Sequence, residues 1–270
     1  MSLGFELNPL HIYRVLWKHR YILGQMVKRD VLLRYRGAMF GIFWVFLSPL
    51  LMLAIFAFVF GQVFQAKWSQ HESGVPFWLL LYSGLIAFNV FSETVARAPN
   101  AVRGYPSYVK KIIFPLEILP VVPLGAALVH ATFNFLILLV ALALQGQLHA
   151  TVLLFPILLV PLVLLALGFS WFMAAWGVFI KDMTQIVPVF VQMLLFLSPV
   201  FYPVSAVPEV LRKFYLYNPL GMVIEAIRDV VNGVPVAWES FTLVLAFCLM
   251  VAVLGYVFFQ HSREEFADVL

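Results

Sequence analysis

The sequence predicts an all-α polytopic membrane protein with six transmembrane helices, and three observations carry that prediction. Hydrophobic residues fill 63% of the 270 positions and charged residues only 11%, too little polar surface to keep a chain of this size dispersed in water. Six apolar runs are each long enough to cross a bilayer, with the charged residues almost entirely between them. The runs are too long and too evenly apolar for barrel strands. Backbone amides in lipid must bond within their own segment, so helices are required.

The chain divides into a cytoplasmic amino-terminal segment, 1–37, a transmembrane domain, 38–260, and a cytoplasmic tail, 261–270. Within the domain the spans are read as 38–64, 75–96, 116–144, 151–180, 186–201 and 238–260. Thirteen of the seventeen Lys and Arg residues fall on the side that holds both termini and four on the other, so the positive-inside rule puts both termini in the cytoplasm. A formal charge of +4 then reads as topology and attraction to anionic membrane lipid, not as a nucleic-acid footprint. The first 37 residues are polar and basic and show no cleavable secretory signal, which leaves the first span as its own insertion signal.

Taken in order, the segment 9–28 carries Ile12, Leu16, Leu23 and Val27 at helical spacing, with Arg14, Lys18 and Lys28 largely on another face. An interfacial amphipathic helix fits this pattern, and so does a basic flank that only orients the protein. The first span opens on Gly37-Ala-Met-Phe-Gly41, two glycines four apart, a spacing that suits close approach by another helix. Between spans two and three, 97–113 contains Pro99, Gly104, Pro106 and the pair Lys110 and Lys111. It is too polar to span and too long for a tight turn, so a short cytoplasmic helix is expected there, either force-transmitting or a plain connector.

After span five, 203–236 holds four prolines and a moderately apolar run, 220–231, interrupted by Glu225, Arg228 and Asp229. Twelve helical residues cover only about 18 Å and cannot cross the bilayer. A pair of short re-entrant or interfacial helices fits, with Glu225, Arg228 and Asp229 on a polar face that either closes an outer vestibule or is simply solvated. Cys248, the only cysteine, lies inside the last span. No internal disulfide is possible, and packing is its expected role.

Ionisable residues inside a membrane mark ion or proton pathways, and here they are scarce. Glu93 and Arg97 are one turn apart near the end of span two and can neutralise each other. Glu117 opens span three, and His130 shares a face with Asn134. A proton-coupled carrier calls for an unpaired carboxylate near mid-membrane, and the sequence offers none. It also lacks metal-ligand spacing, a nucleophile with a matching base, and the G-x-x-x-x-G-K-[ST] phosphate loop. If the chain moves a substrate uphill, the energy must come from another polypeptide.

Three segments together resemble the permease subunit of ABC-2-type polysaccharide exporters, which move lipid-linked O-antigen, teichoic acid or capsule chains. These are RDVLLRYRGAMFGIFWVFLSPLLML from Arg29, KDMTQIVPVFVQMLLFLSPVFYP from Lys181 and NPLGMVIEAIRDVVNG from Asn218. The second departs from the family pattern, with Lys181 where Arg is common before Asp182, which keeps the charge and loses the guanidinium fork. The end of span one and the Ser198-Pro-Val-Phe-Tyr-Pro203 stretch look closer to O-antigen or teichoic-acid permeases than to capsule permeases.

The resemblance implies a non-catalytic permease subunit in the cytoplasmic membrane, working as a homodimer with two copies of a cytoplasmic ABC ATPase. That partner binds ATP and Mg2+, and no cofactor is expected in this chain. It also implies that 9–28 and 97–113 dock on the ATPase, with Arg14, Lys18, Arg103 and Lys110 as coupling candidates, and that the short helices in 203–236 gate the exit. Aromatic faces let sugar rings slide without a deep site. Phe40, Trp44 and Tyr82 are the candidate lining residues, although lipid-facing and interfacial roles are open to any of them. Arg34 and Arg36 are the candidates to receive the pyrophosphate of a lipid-linked substrate, with topology anchoring as their competing role. A drug or simple-lipid exporter, and a membrane enzyme acting on lipid-linked sugars, are the alternatives.

Overall fold

The computed structural model describes residues 9–64, 74–109, 114–204 and 207–269. Its elements are α1 (Pro9–Lys18), α2 (Arg20–Arg34), α3 (Trp44–Phe56), α4 (Phe77–Arg97), α5 (Pro99–Arg103), α6 (Val121–Leu144), α7 (Val160–Phe179), α8 (Met183–Leu197), α9 (Glu209–Leu216), α10 (Pro219–Val231) and α11 (Trp238–Ser262). Short turns of helix join them, and no strand occurs among the described residues.

Five helical stretches have the length and apolarity to cross a membrane: Gly41–Val63, Phe77–Arg97, Leu116–Leu144, Ala150–Phe179 and Trp238–Val269. The fifth expected span, 186–201, is a helix of 15 residues from Met183 to Leu197. At about 1.5 Å per residue it is roughly 22 Å long. It stops because Ser198 turns extended and Pro199, next in the sequence, cannot continue the hydrogen-bond ladder.

Helix α4 is the hub, with thirteen of its 21 residues buried and with α6, α7, α8 and α10 all packed on it. Helices α7 and α11 form the most extensive pair, and glycine makes it so. A Cβ on Gly255 would lie 2.2 Å from the Gly168 carbonyl oxygen, and one on Gly168 2.6 Å from that of Val251. Gly177 likewise sits against the backbone of Pro99, at the start of α5. The two glycines of the 37–41 segment do something else. Both have positive φ, 86° and 50°, and a Cβ added at either would meet nothing within 4 Å inside the subunit, so they shape the turn into α3 and take no part in helix contact within the subunit.

Two apolar clusters fill the molecule. The larger runs through the spans and includes Leu79, Phe88, Leu138, Phe155, Leu162 and Ile227. The second gathers Val15 of α1, Met26 of α2, Val102 of α5, Val122 of α6, Trp171 of α7, Phe259 of α11 and Phe266 of the tail. The beginning and end of the described chain therefore share one face of the molecule, called here the amino-terminal face. Arg263 bonds Glu117 at 3.2 Å, and Phe266 is buried against Phe179 and Phe259, so the last residues are built into that face.

Candidate functional site

The amino-terminal face carries an ionic network that joins three helices. Helix α2 places Asp30 and Arg34 one turn apart, and α4 places Glu93 and Arg97 one turn apart. The two pairs cross with opposite polarity, Arg34 Nη2 to Glu93 Oε1 at 2.6 Å and Arg97 Nη2 to Asp30 Oδ1 at 2.5 Å. Arg97 also approaches Glu93 along its own helix at 3.5 Å.

His130 of α6 completes the group. Its Nδ1 lies 3.1 Å from Glu93 Oε2 and 2.9 Å from Arg34 Nη1, and its Nε2 lies 3.4 Å from the Tyr35 hydroxyl. Nδ1 can donate to the carboxylate or accept from the guanidinium, not both, so the tautomer selects which neighbour His130 holds. The sequence shows the Glu93–Arg97 spacing. It does not show that Asp30, Arg34 and His130, between 37 and 96 positions away from their partners, complete the network.

Outside this network the face is basic and apolar together. A groove of about 640 Å³ runs along α2 and is lined by Lys28, Arg29 and Arg36 with Leu32, Leu33 and Tyr108. The Arg29 guanidinium lies over the Tyr105 ring at 5.4 Å. Of the two candidate anion receptors, Arg36 opens into this groove, whereas Arg34 is held by Glu93 and His130. Arg14 and Lys18 are exposed on α1 and Arg103 is half-buried at the end of α5. Lys110 lies outside the described residues.

The opposite face is organised around Arg228 of α10, which is only 1% exposed. Its guanidinium donates to the carbonyls of Leu80, Pro199 and Val200 and to Glu225 Oε1 at 2.9 Å. Gly84 makes room for it, since a Cβ there would stand 2.9 Å from Nη2. Arg228 thus ties α10 to the start of α4 and to the residues after α8, the work of a staple, while Asp229 is exposed. Burial pushes the carboxyl group of Glu225 above the ordinary carboxylate range, with Arg228 opposing the rise and neighbouring Asp229 adding to it.

The three aromatic candidates fall in two places. Phe40 is 54% exposed and meets half-buried Trp44 edge to face with ring centroids 6.0 Å apart. Tyr82 is only 3% exposed, inside the subunit, and its hydroxyl donates to Asn134 Oδ1 at 2.8 Å. Its surroundings are those of a packed residue, so sliding contact with a sugar would require another position. The first apolar stretch, Gly41–Val63, carries the more open aromatic surface, with Phe43, Phe46 and Phe58 exposed. An apolar cleft of about 470 Å³ separates α8 from α11, between Phe190 and Phe247. Among the described residues no three metal-ligating side chains converge.

Residues 22–232 match the ABC-2 type transporter family. The chain belongs to that family. Similarity to individual proteins runs almost end to end. The O-antigen export system permease protein of Myxococcus xanthus is 26% identical over 264 residues, 96% of this chain and 99% of the relative. That of Klebsiella pneumoniae is 22% identical, over 94% and 99%. The polysialic acid transport protein of Escherichia coli is 24% identical, over 88% and 91%.

Proposed function

We propose that this chain is the permease subunit of an ATP-driven exporter that carries a lipid-linked polysaccharide, an O-antigen chain in the first place, across the cytoplasmic membrane. The observation that carries the reading is end-to-end similarity to O-antigen export permeases, 99% of whose length is covered. The similarity to a polysialic acid transport protein favours capsule export as the second reading. The subunit works as a homodimer with two copies of a cytoplasmic ATPase that bind ATP and Mg2+. It hydrolyses nothing itself.

In this reading both termini are cytoplasmic and the chain crosses six times, with α8 as the fifth crossing. Parity supports the count, because an odd number would separate α1 from the tail, and both belong to one cluster. The ATPase docks on α1, α2 and α5, where Arg14, Lys18 and Arg103 face outward or lie near the surface. The substrate's pyrophosphate is received at the basic groove by Arg36, whose forked donors suit phosphate oxygens, while the groove's leucines suit a lipid tail; Arg34, held by Glu93 and His130, stands behind it. Polymer then passes along the aromatic face of the first crossing, at whose entry Phe40 and Trp44 supply weak, repeated contact. Helices α9 and α10 border the exit.

Deleting the gene tests this directly. Carrier-linked glycan is expected to accumulate inside the cell, and re-expression restores surface glycan. Tagged protein purified from the restored strain is expected to bring an ABC ATPase with it. Undiminished surface glycan in the deletion strain overturns the reading, and loss of capsule alone selects the second one.

A further inference from the structure

We propose that Asp30, Arg34, Glu93 and Arg97 form a mechanical joint through which α2 moves α4, coupling the amino-terminal face to the interior of the transporter. The inference rests on the reading above that the ATPase acts on α1 and α2. What it adds is the route by which a push on a peripheral helix enters the spans.

Three observations carry it. Helix α2 is weakly anchored by apolar contact: only Met26 and Val31 of its fifteen residues are buried. Its packing is mainly on α6, where Val27 fills the space over Gly125. Its hold on α4 is ionic, through the crossed pairs. Helix α4, by contrast, touches α6, α7, α8 and α10, so displacing it displaces the whole bundle.

The polarity of the pairs gives the joint its direction. Asp30 meets Arg97 and Arg34 meets Glu93, so the ladder reads acid-base on one helix and base-acid on the other. Sliding the helices by one turn, about 5.4 Å, brings Arg34 against Arg97 or Asp30 against Glu93. Both are like-charge contacts and are resisted. The pair of helices therefore moves as a unit in either direction along α2, which apolar packing does not enforce, because one leucine slides past another at little cost. The four charges sum to zero, which suits a place at the edge of the hydrocarbon.

The test uses the complete transporter with its ATPase in proteoliposomes, reading ATP hydrolysis and export together. Arg97→Asp is expected to lower export about tenfold or more, with the ATPase still bound and hydrolysis within about twofold of the wild type. Exchanging both pairs, with Asp30→Arg and Arg34→Asp on α2 and Glu93→Arg and Arg97→Asp on α4, restores the pairing with the same alternation and is expected to recover most of the export. Asp30→Asn, a milder change, is expected to uncouple partially in the same sense and serves if Arg97→Asp fails to insert. The proposal is overturned if the single variants export normally, if the exchange of charges recovers nothing, or if hydrolysis and export fall in proportion. Failure of the underlying reading looks different: the wild-type chain itself would then purify without an ATPase.

Discussion

At the scale of single residues, the decisive feature is a buried charge, the guanidinium of Arg228. A guanidinium stripped of water is tolerable only when its donors are met, and Arg228 meets three backbone carbonyls and one carboxylate. Two of those carbonyls, of Pro199 and Val200, lie in the turn after α8, outside any helical ladder, while that of Leu80, inside α4, also accepts from Ser83 Oγ. Truncation to Ala would take this donor from the Pro199 and Val200 carbonyls and leave a void beside Gly84, so Arg228→Ala is expected to destabilise the subunit by about 3 kcal/mol or more. Lys does not rescue it, because an ammonium cannot reproduce the planar fork. Thermal unfolding in detergent checks both variants, and a melting temperature unchanged for Arg228→Lys would show that the fork is dispensable. Sequence reading placed Glu225, Arg228 and Asp229 on one polar face. Only the fold reveals that the cation points into the protein while Asp229 points out.

At the scale of elements, close helix approach is the organising device, and its sites are set by tertiary position. Gly37 and Gly41 carry the spacing of a packing motif but lie in a turn, whereas Gly168 and Gly255, unremarkable in sequence, bring α7 and α11 into backbone contact. Each becomes meaningful only opposite the other. Gly255→Ala is therefore expected to cost about 1–3 kcal/mol, because the nearest atom is a carbonyl oxygen that cannot step aside. Gly24, inside α2 where an added Cβ would meet nothing within 4 Å, gives the matched control, and Gly24→Ala is expected to stabilise by about 0.5–1 kcal/mol. Equal melting temperatures for the two variants would refute the contact. The long apolar runs were legible because a membrane helix declares itself through length and composition. The shortness of α8 was less so, since its apolar character continues past Leu197 to Phe201 while the backbone turns at Ser198. The crossed ion pairs were half legible: Glu93 and Arg97 share a helix, but Asp30, Arg34 and His130 reach them across the fold.

At the scale of the whole molecule, the open question is what covers α3. Only Val45, Leu53 and Phe56 of its thirteen residues are buried, while Phe46, Leu50, Leu51 and Ile55 are exposed, so one subunit leaves its first crossing largely unpacked. Lipid can solvate such a helix, but a polymer path cannot be made from one helix in lipid. It needs a second wall, and in a homodimer the same helix of the partner supplies it in an isologous arrangement. The chain lends itself to a clean test because Cys248 is its only cysteine and is buried, so Cys248→Ala gives a background without thiols. Into it, Phe43→Cys, Leu50→Cys and Phe58→Cys are introduced along the exposed length of the first crossing, and Leu243→Cys and Leu254→Cys on the exposed side of α11. A disulfide requires Cβ atoms within about 4.5 Å, so oxidation in native membranes reports only copies that meet at the substituted position. At least one of the first three is expected to yield a covalent dimer, and neither of the α11 positions. Dimers formed through α11 with none through the first crossing would move the shared wall to the other side of the subunit. Phe40 and Trp44 would then face lipid, and the path for the polymer would have to be sought elsewhere.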